Sequence, residues 1–419
     1  MRIVYTIVIH LFYFLMIPAA WFNKKAMLWV SGRKNWRQKL EDWKGRKKPV
    51  FWFHAASLGE FEQGHPVMEA MRTAVPGCSI VISFFSSSGY EVRKNYSNAD
   101  LVFYLPLDTR YNAKTLITLL KPDAVFFIKY EFWYFFLDEL KKNQIPVYLL
   151  SGIFRPRQMF FRWHGFWFRK SLYAFRHLFV QNSLSSGLLK SIGISNTSIT
   201  GDTRFDRVSD NARNARDIPV AREFARGSVC IVAGSTWPAD ETLLLNFINN
   251  APSGYKFIIA PHEIGQDHLS RLVKSIKKNL VLYSLASLDN LGEMQVLVID
   301  NIGMLSSLYR YGQIAYIGGG FGKGIHNLLE AAVYGIPVIF GPNYHKHREA
   351  IELISSGGGF SVGNESELLS VLGKLTLMNE FYENAAYRAR KYILSNTGST
   401  GKIMTHLINE LKLNNTVKI

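Results

Sequence analysis

Between Tyr316 and Glu349 the chain reads YIGGGFGKGIHNLLEAAVYGIPVIFGPNYHKHRE. Gly318, Gly319, Gly320, Gly322 and Gly324 follow a short apolar run and precede a stretch that predicts a helix over His326–Tyr334. Glycines at a strand-to-helix turn let the backbone approach a ligand closely. The start of a helix adds N–H groups and a partial positive charge, so a phosphate or carboxylate is the natural occupant. The alternative is a structural turn before a surface helix. The spacing matches neither GxGxxG followed by an acid nor GxxxxGK[ST], so neither dinucleotide nor P-loop binding is supported. Asn327 and Glu330 lie three apart just beyond the loop. A carboxylate repels phosphate, which suits Glu330 to accepting hydrogen bonds from sugar hydroxyls.

Other candidate residues stand where apolar runs end. In His54-Ala-Ala-Ser57-Leu-Gly-Glu60, Ser57 and Glu60 have the spacing of a capping box. Alternatively, Glu60 is a general base: a carboxylate half-withdrawn from water has a raised pKa and can take a proton from a sugar hydroxyl. Glu131, in KYEFWY, is a second carboxylate placed in the same way. Asp202, Arg204 and Asp206 in GDTRFD form either a salt-bridged turn or a place where Arg204 meets a charged substrate. In the second half, Gly234-Ser235-Thr236, Pro261-His262-Glu263 and the run from Asp300 through Gly303, Met304 and Leu305 close three further apolar runs. Together with the glycine loop and Gly320, they would surround one ligand. No clustered Asp/Glu motif suggests a divalent ion, so neither a metal nor another cofactor is expected.

These residues need elements to position them. A chain of 419 residues with 48% apolar residues suggests two domains. From residue 50 onward, short apolar runs alternate with helical stretches, including helices predicted at Glu60–Thr73 and Glu131–Lys142. The runs are continuously apolar rather than alternating, as parallel strands covered on both faces should be. The series restarts after Asp217, so two doubly wound α/β domains are expected. Their boundaries would be 49–208 and 227–419, joined by a polar linker at 209–226. Ligands in such folds sit beyond the carboxyl ends of strands, so the two domains should face a cleft that holds the site. Cys78 and Cys230 are the only cysteines, which implies neither a disulfide framework nor a zinc site and fits a reducing compartment.

Residues 1–48 read differently. IVYTIVIHLFYFLMIPAAWF, from Ile3 to Phe22, is just long enough to span a bilayer, and the segment after it is strongly basic. Charge after rather than before the apolar run argues against a signal peptide and places the rest of the chain in the cytoplasm. Trp29 and Trp36, interleaved with the cations, suit contact at the level of anionic headgroups. A buried N-terminal helix is the other possibility. The formal net charge of +17 argues for an anionic partner. Because the basic residues crowd behind the apolar segment, that partner is expected to be membrane lipid or a phosphorylated substrate rather than nucleic acid.

The combination HAASLGE, YEFW, GDTRFD, AGST, APH, a Gly-containing loop before LSSLY, and GGGFGKGIHNLLEAAVYGIPVIFGP resembles the bacterial 3-deoxy-D-manno-octulosonic acid (Kdo) transferases, across nearly the whole chain. The resemblance implies a GT-B glycosyltransferase that moves Kdo from CMP-Kdo to a lipid A precursor (lipid IVA), in lipopolysaccharide core synthesis at the cytoplasmic face of the inner membrane. By motif it implies Glu60 as the proton acceptor, with Glu131 and Arg204 assisting the transition state. Pro261, His262, Gly303, Met304, Leu305, Asn327, Leu328, Leu329 and Glu330 match segments that hold the CMP moiety, and Ser235 and Gly320 are further substrate-binding candidates. The chain departs from the family pattern at His262-Glu263, where Arg-His is usual, at Arg204, where lysine is frequent, and at Ile325, where a glycine commonly precedes the histidine. Two other readings remain open: a GT-B enzyme with a different nucleotide sugar and a lipid-linked acceptor, and a non-enzymatic basic membrane-binding protein.

Overall fold

The computed structural model describes residues 2–43 and 45–413; Met1, Lys44 and residues 414–419 lie outside the described residues. The chain divides into two compact units. The first runs to Arg207 and resumes at Thr397, and the second is Val208–Asn396.

In the first unit, β1 (Val50–Ala55), β2 (Ser79–Phe84), β3 (Leu101–Tyr104), β4 (Ala124–Ile128), β5 (Val147–Gly152), β6 (His177–Val180) and β7 (Thr197–Ile199) form one sheet. Its order is β3-β2-β1-β4-β5-β6-β7 and every pairing is parallel. Side chains alternate across a strand. Val50 and Trp52 therefore join the core on one face, while Phe51, Phe53 and Ala55 join the core on the other. Burial on both faces explains why these strands lack polar alternation.

The second unit repeats the plan with β8 (Val229–Thr236), β9 (Tyr255–Pro261), β10 (Leu280–Leu282), β11 (Val296–Val298), β12 (Ile314–Ile317), β13 (Val338–Phe340) and β14 (Gly359–Ser361). The order is β10-β11-β9-β8-β12-β13-β14, again all parallel. Strand β14 lies in a glycine-rich stretch with no apolar run to announce it. In each sheet the winding reverses beside the first strand, at β1/β4 and at β8/β12. The carboxyl ends there are where a doubly wound sheet opens a crevice.

The boundaries differ from those expected. The segment 209–226 is not a linker: the helices Arg204–Arg213 and Pro219–Ala225 cover it, Ala221 and Phe224 are buried, and Ile218 N–H donates to Tyr311 Oη at 2.7 Å. Nor does the second unit keep the chain's last helix. Ser399–Glu410 returns to the first unit, where Ile403, Met404 and Leu407 pack with Phe51, Phe53 and Phe126. Asp206 fastens its start, accepting from the N–H groups of Gly398 and Thr400 at 2.6 Å each and from Thr400 Oγ1 at 2.7 Å.

Among the described residues one helix, Arg2–Phe22, is long and apolar enough to cross a membrane. One face, through Tyr5, Ile9, Tyr13, Met16 and Ala20, is half-covered, while Ile3, Val4, Ile7, Val8, Leu11, Phe14 and Leu15 are exposed. Tyr5 Oη donates to Asp108 Oδ2 at 2.6 Å, Arg2 Nε to Tyr134 Oη at 2.6 Å, and the Phe12 ring meets Trp29 edge-on. Trp29 and Trp36, expected at headgroup level, are instead buried in the first unit. Arg33 is buried too. It lies 3.8 Å over the Trp29 ring and donates to the carbonyls of Trp29, Phe85 and Leu105. Burial lowers its pKa to about 9. These aromatic and cationic side chains pin the segment to the protein body, a packing role that composition cannot distinguish from lipid contact.

Candidate active site

At the β1/β4 crevice the chain leaves β1 through Ala56 and Ser57 into the helix Leu58–Ala74. Glu60 stands at the third helical position. Its Oε2 accepts from Ala56 N–H at 2.6 Å, while the Ser57 side chain makes no capping bond. Only the glutamate half of the expected capping box is present. The Glu60 carboxyl is pushed up to about 7, first by burial and second by the charge of Glu131; the N–H groups of Ala56 and Ser57 and the charge of Lys129 oppose the rise. A carboxylate of that basicity is half ionised at neutral pH and suited to accepting a proton.

Glu131 follows β4 after Lys129, whose backbone takes the left-handed conformation at φ 67°. It lies outside the helix that was expected to begin there, which starts at Tyr134. Its Oε2 receives His54 Nε2 at 3.0 Å and Trp133 Nε1 at 2.5 Å. Arg204 begins the helix Arg204–Arg213; its Nε and Nη2 donate to Asp202 Oδ2 at 3.0 and 2.9 Å, forming the salt-bridged turn. Gln63 Nε2 holds the other Asp202 oxygen at 3.0 Å. Tyr130 gathers these groups: burial raises its hydroxyl, Glu60 raises it further, and Arg155 and Arg204 lower it. Glu60, Glu131 and Arg204 thus occupy one end of one sheet.

In the second unit the β8/β12 crevice brings four strand ends together. Ser235 takes φ 54° at an irregularity of β8. The glycine loop crosses it so closely that a Cβ on Gly318 would lie 2.2 Å from the Ser235 carbonyl oxygen. On the other side, a Cβ on Gly320 would lie 2.6 Å from Gly341 Cα and N. Buried Asp240 ties the loop down, accepting from Gly319 N–H at 2.8 Å, Trp237 N–H at 3.0 Å and Tyr316 Oη at 2.9 Å. The Trp237 ring stacks on His262 with centroids 4.7 Å apart, and His262 lies 4.4 Å from His326. Trp237 Nε1 donates to His326 Nε2 at 3.0 Å. Burial and the neighbouring His262 and His347 lower His326 to about 4, so it is neutral near pH 7 and carries its proton on Nδ1. Leu305 leans on the end of β8, since a Cβ on Gly234 would meet its Cδ1 at 2.8 Å.

The structure thus gathers Ser235, His262, Leu305, Gly320 and Glu330 with their neighbours at this end of the second sheet. One expectation changes in detail. The helix expected over His326–Tyr334 spans only Leu329–Ala332, because Asn327 Oδ1 accepts Leu329 N–H at 3.2 Å and delays its start. Glu330 Oε1 accepts from Asn327 Nδ2 at 2.9 Å. The side chains of Pro261, Leu328 and Leu329 are buried. Gly303 and Met304 remain accessible beside Leu305. Sequence reading passed over Trp237, Asp240 and the part played by His54. The signal for Asp240 was present, an acid three residues after Trp237 at the end of a strand, but it reads as an ordinary first-turn acid. Among the described residues no group of three or more His, Cys, Asp or Glu side chains could hold a metal ion.

Comparison with known proteins agrees with this architecture. Residues 34–207 match the family model described as 3-Deoxy-D-manno-octulosonic-acid transferase (kdotransferase). The chain is 30% identical over 346 residues to the 3-deoxy-D-manno-octulosonic acid transferase of Chlamydia trachomatis serovar A, covering 79% of each chain. The enzyme of that name from Aquifex aeolicus is 28% identical, over 78% of this chain and 86% of its own. Among solved structures, the UDP-GlcNAc 2-epimerase of Neisseria meningitidis superposes with a TM-score of 0.60 at 15% identity, covering 86% of this chain and 99% of that one. At that identity the likeness speaks for the fold alone, two doubly wound units of the GT-B kind. With the sequence relationship extending over most of both chains, the protein belongs to the 3-deoxy-D-manno-octulosonic acid transferase family of glycosyltransferases.

Proposed function

We propose that the protein transfers Kdo from CMP-Kdo to the lipid A precursor lipid IVA, inverting the anomeric centre, with Glu60 as general base. The observation that carries this reading is the Glu60 carboxyl, brought to about 7 at the β1/β4 crevice by burial and by the charge of Glu131. In the reaction the acceptor hydroxyl oxygen attacks the anomeric carbon of Kdo, and the hydroxyl proton passes to Glu60. The bond from that carbon to the CMP phosphate oxygen breaks, and CMP leaves with the electron pair. Glu131 and Arg204 place charge near the developing oxocarbenium ion and the acceptor. The glycine loop and the Trp237–His262–His326 stack suit a nucleotide: flat rings for the base, with backbone N–H groups and an imidazole N–H for the phosphate. No cofactor or metal is assigned a step. The apolar outer face of the helix Arg2–Phe22 supports attachment to anionic inner-membrane lipid at the cytoplasmic face, where lipid IVA would be met.

The test is transfer from enzymatically generated CMP-Kdo to lipid IVA in detergent with EDTA present, read by mass spectrometry. A product heavier by one or more Kdo units is expected. No product, with CMP still raising the melting temperature, would refute the acceptor. No product and no CMP effect would refute the donor as well.

A further inference from the structure

His54 is fully buried at the carboxyl end of β1, two residues after Trp52 on the same face. Trp52 Nε1 donates to Ser83 Oγ at 2.8 Å, and Ser83 is the register neighbour of His54 on β2. The carboxylate of Glu131 only accepts, which calls for a proton on Nε2, and the Ser83 oxygen, while accepting from the indole, then gives its own hydrogen to His54 Nδ1, 2.8 Å away. Nε2 then carries the ring proton and gives it to Glu131 Oε2 at 3.0 Å. The Ser83 carbonyl, 3.1 Å from Nδ1, would accept a second ring proton if the imidazole were charged, and Nε2 would still donate. Trp133 Nε1 lies between the two groups, 2.5 Å from the same carboxylate oxygen, to which it donates, and 3.2 Å from His54 Nε2. Both donors converge on Oε2, which leaves Oε1 for other partners.

We propose that His54 is a positioning residue: through the series Trp52–Ser83–His54 it holds the Glu131 carboxyl in one place at the end of the sheet that also carries Glu60. This rests on the reading of Glu60 as general base and adds the group that sets its surroundings. The groups acting on Glu60 are Glu131, which raises its proton affinity, and Lys129 with the Ala56 and Ser57 N–H groups, which lower it. Those facing Glu131 are His54 from β1, Trp133 from its own segment and Tyr5 from the helix Arg2–Phe22. A buried histidine with both ring nitrogens engaged is usually a packing residue. What separates the two roles is that packing does not move a neighbour's titration, whereas a small misplacement of a group at the reacting centre can cost about 100-fold in activity.

The experiment compares transfer by wild type, His54→Asn, His54→Gln and Glu60→Gln between pH 5 and 9, with a melting curve for each. Glutamine can present an amide N–H close to the place of Nε2; asparagine is too short to reach Glu131. His54→Asn is expected to lose about 100-fold in kcat and to shift the acid limb of its pH profile to lower pH. His54→Gln should restore most of both. A His54→Asn variant with lowered Tm but unchanged limb and kcat would overturn the inference while the base reading stands, provided Glu60→Gln is inactive. Full activity in Glu60→Gln would bring down the base reading and, with it, this inference.

Discussion

Lowering the pH from 8 to 5 should nearly stop transfer at saturating substrate, and the size of the fall can be worked from Glu60. A carboxyl titrating at about 7 is about 90% ionised at pH 8 and about 1% at pH 5, so a step needing the ionised base slows by about 90-fold. Had the group kept its ordinary 4.5, about three quarters would remain ionised at pH 5 and the loss would stay below about 1.5-fold. The two cases differ enough to be separated by initial rates of Kdo addition read by mass spectrometry. A return to pH 8 serves as the control for irreversible unfolding. Glu60→Gln should lower the plateau by about 10²–10⁴-fold and lose the acid limb. Its CMP binding should be unchanged, because the proposed CMP site belongs to the second unit. The same shift acts on stability. The folded-state value lies above the unfolded one, so this group's contribution is fully present below 4.5 and is lost as pH rises through about 7. At pH 8 Glu60→Gln should therefore be more stable than wild type, by about 2–3 kcal/mol once partial exposure is discounted. A flat wild-type profile, or a Glu60→Gln variant that keeps the limb, would refute the reasoning.

Other substitutions test the scaffold. Asp206→Ala removes the acceptor of three hydrogen bonds at the start of the last helix; chemical denaturation should show a loss of about 1–2 kcal/mol, and limited proteolysis should begin after Asn396. Gly320→Ala would place a methyl against the Gly341 backbone at 2.6 Å and should cost about 1–3 kcal/mol together with CMP affinity. Gly322→Ala, whose nearest neighbour would be Gly319 O at 3.7 Å, should match wild type in the same assays. Asp240→Ala leaves the Gly319 and Trp237 N–H groups without their acceptor; calorimetric titration should show CMP binding weakened more than tenfold.

What could be read from residue order follows from burial. Strands β1, β2, β4 and β5 are covered on both faces, so they announced themselves as unbroken apolar runs; β14, with Gly359 in it, did not. Glu60, Glu131 and Ser235 stood out because they follow such runs. The links between elements were hidden. Nothing local says that Asp240 reaches the amide of Gly319, or that His54 finds Glu131 across β1 and β4, since each contact depends on which strands become neighbours. The helix after the glycine loop was drawn too long because periodicity cannot foresee that Asn327 will cap Leu329. The last helix was assigned to the wrong unit for a similar reason: an apolar stripe specifies a buried face without specifying what buries it.

That last helix has a consequence for synthesis. Domains ordinarily mature in the order in which they leave the ribosome. Here the residues that close one face of the first core, Ile403, Met404 and Leu407, are translated after the entire second unit. While the second unit is being made, this core has Phe61, Val67, Met68 and Met71 of the helix Leu58–Ala74 but lacks the three side chains that complete it. A nascent chain arrested at Asn396 would therefore hold a first unit whose core still lacks Ile403, Met404 and Leu407.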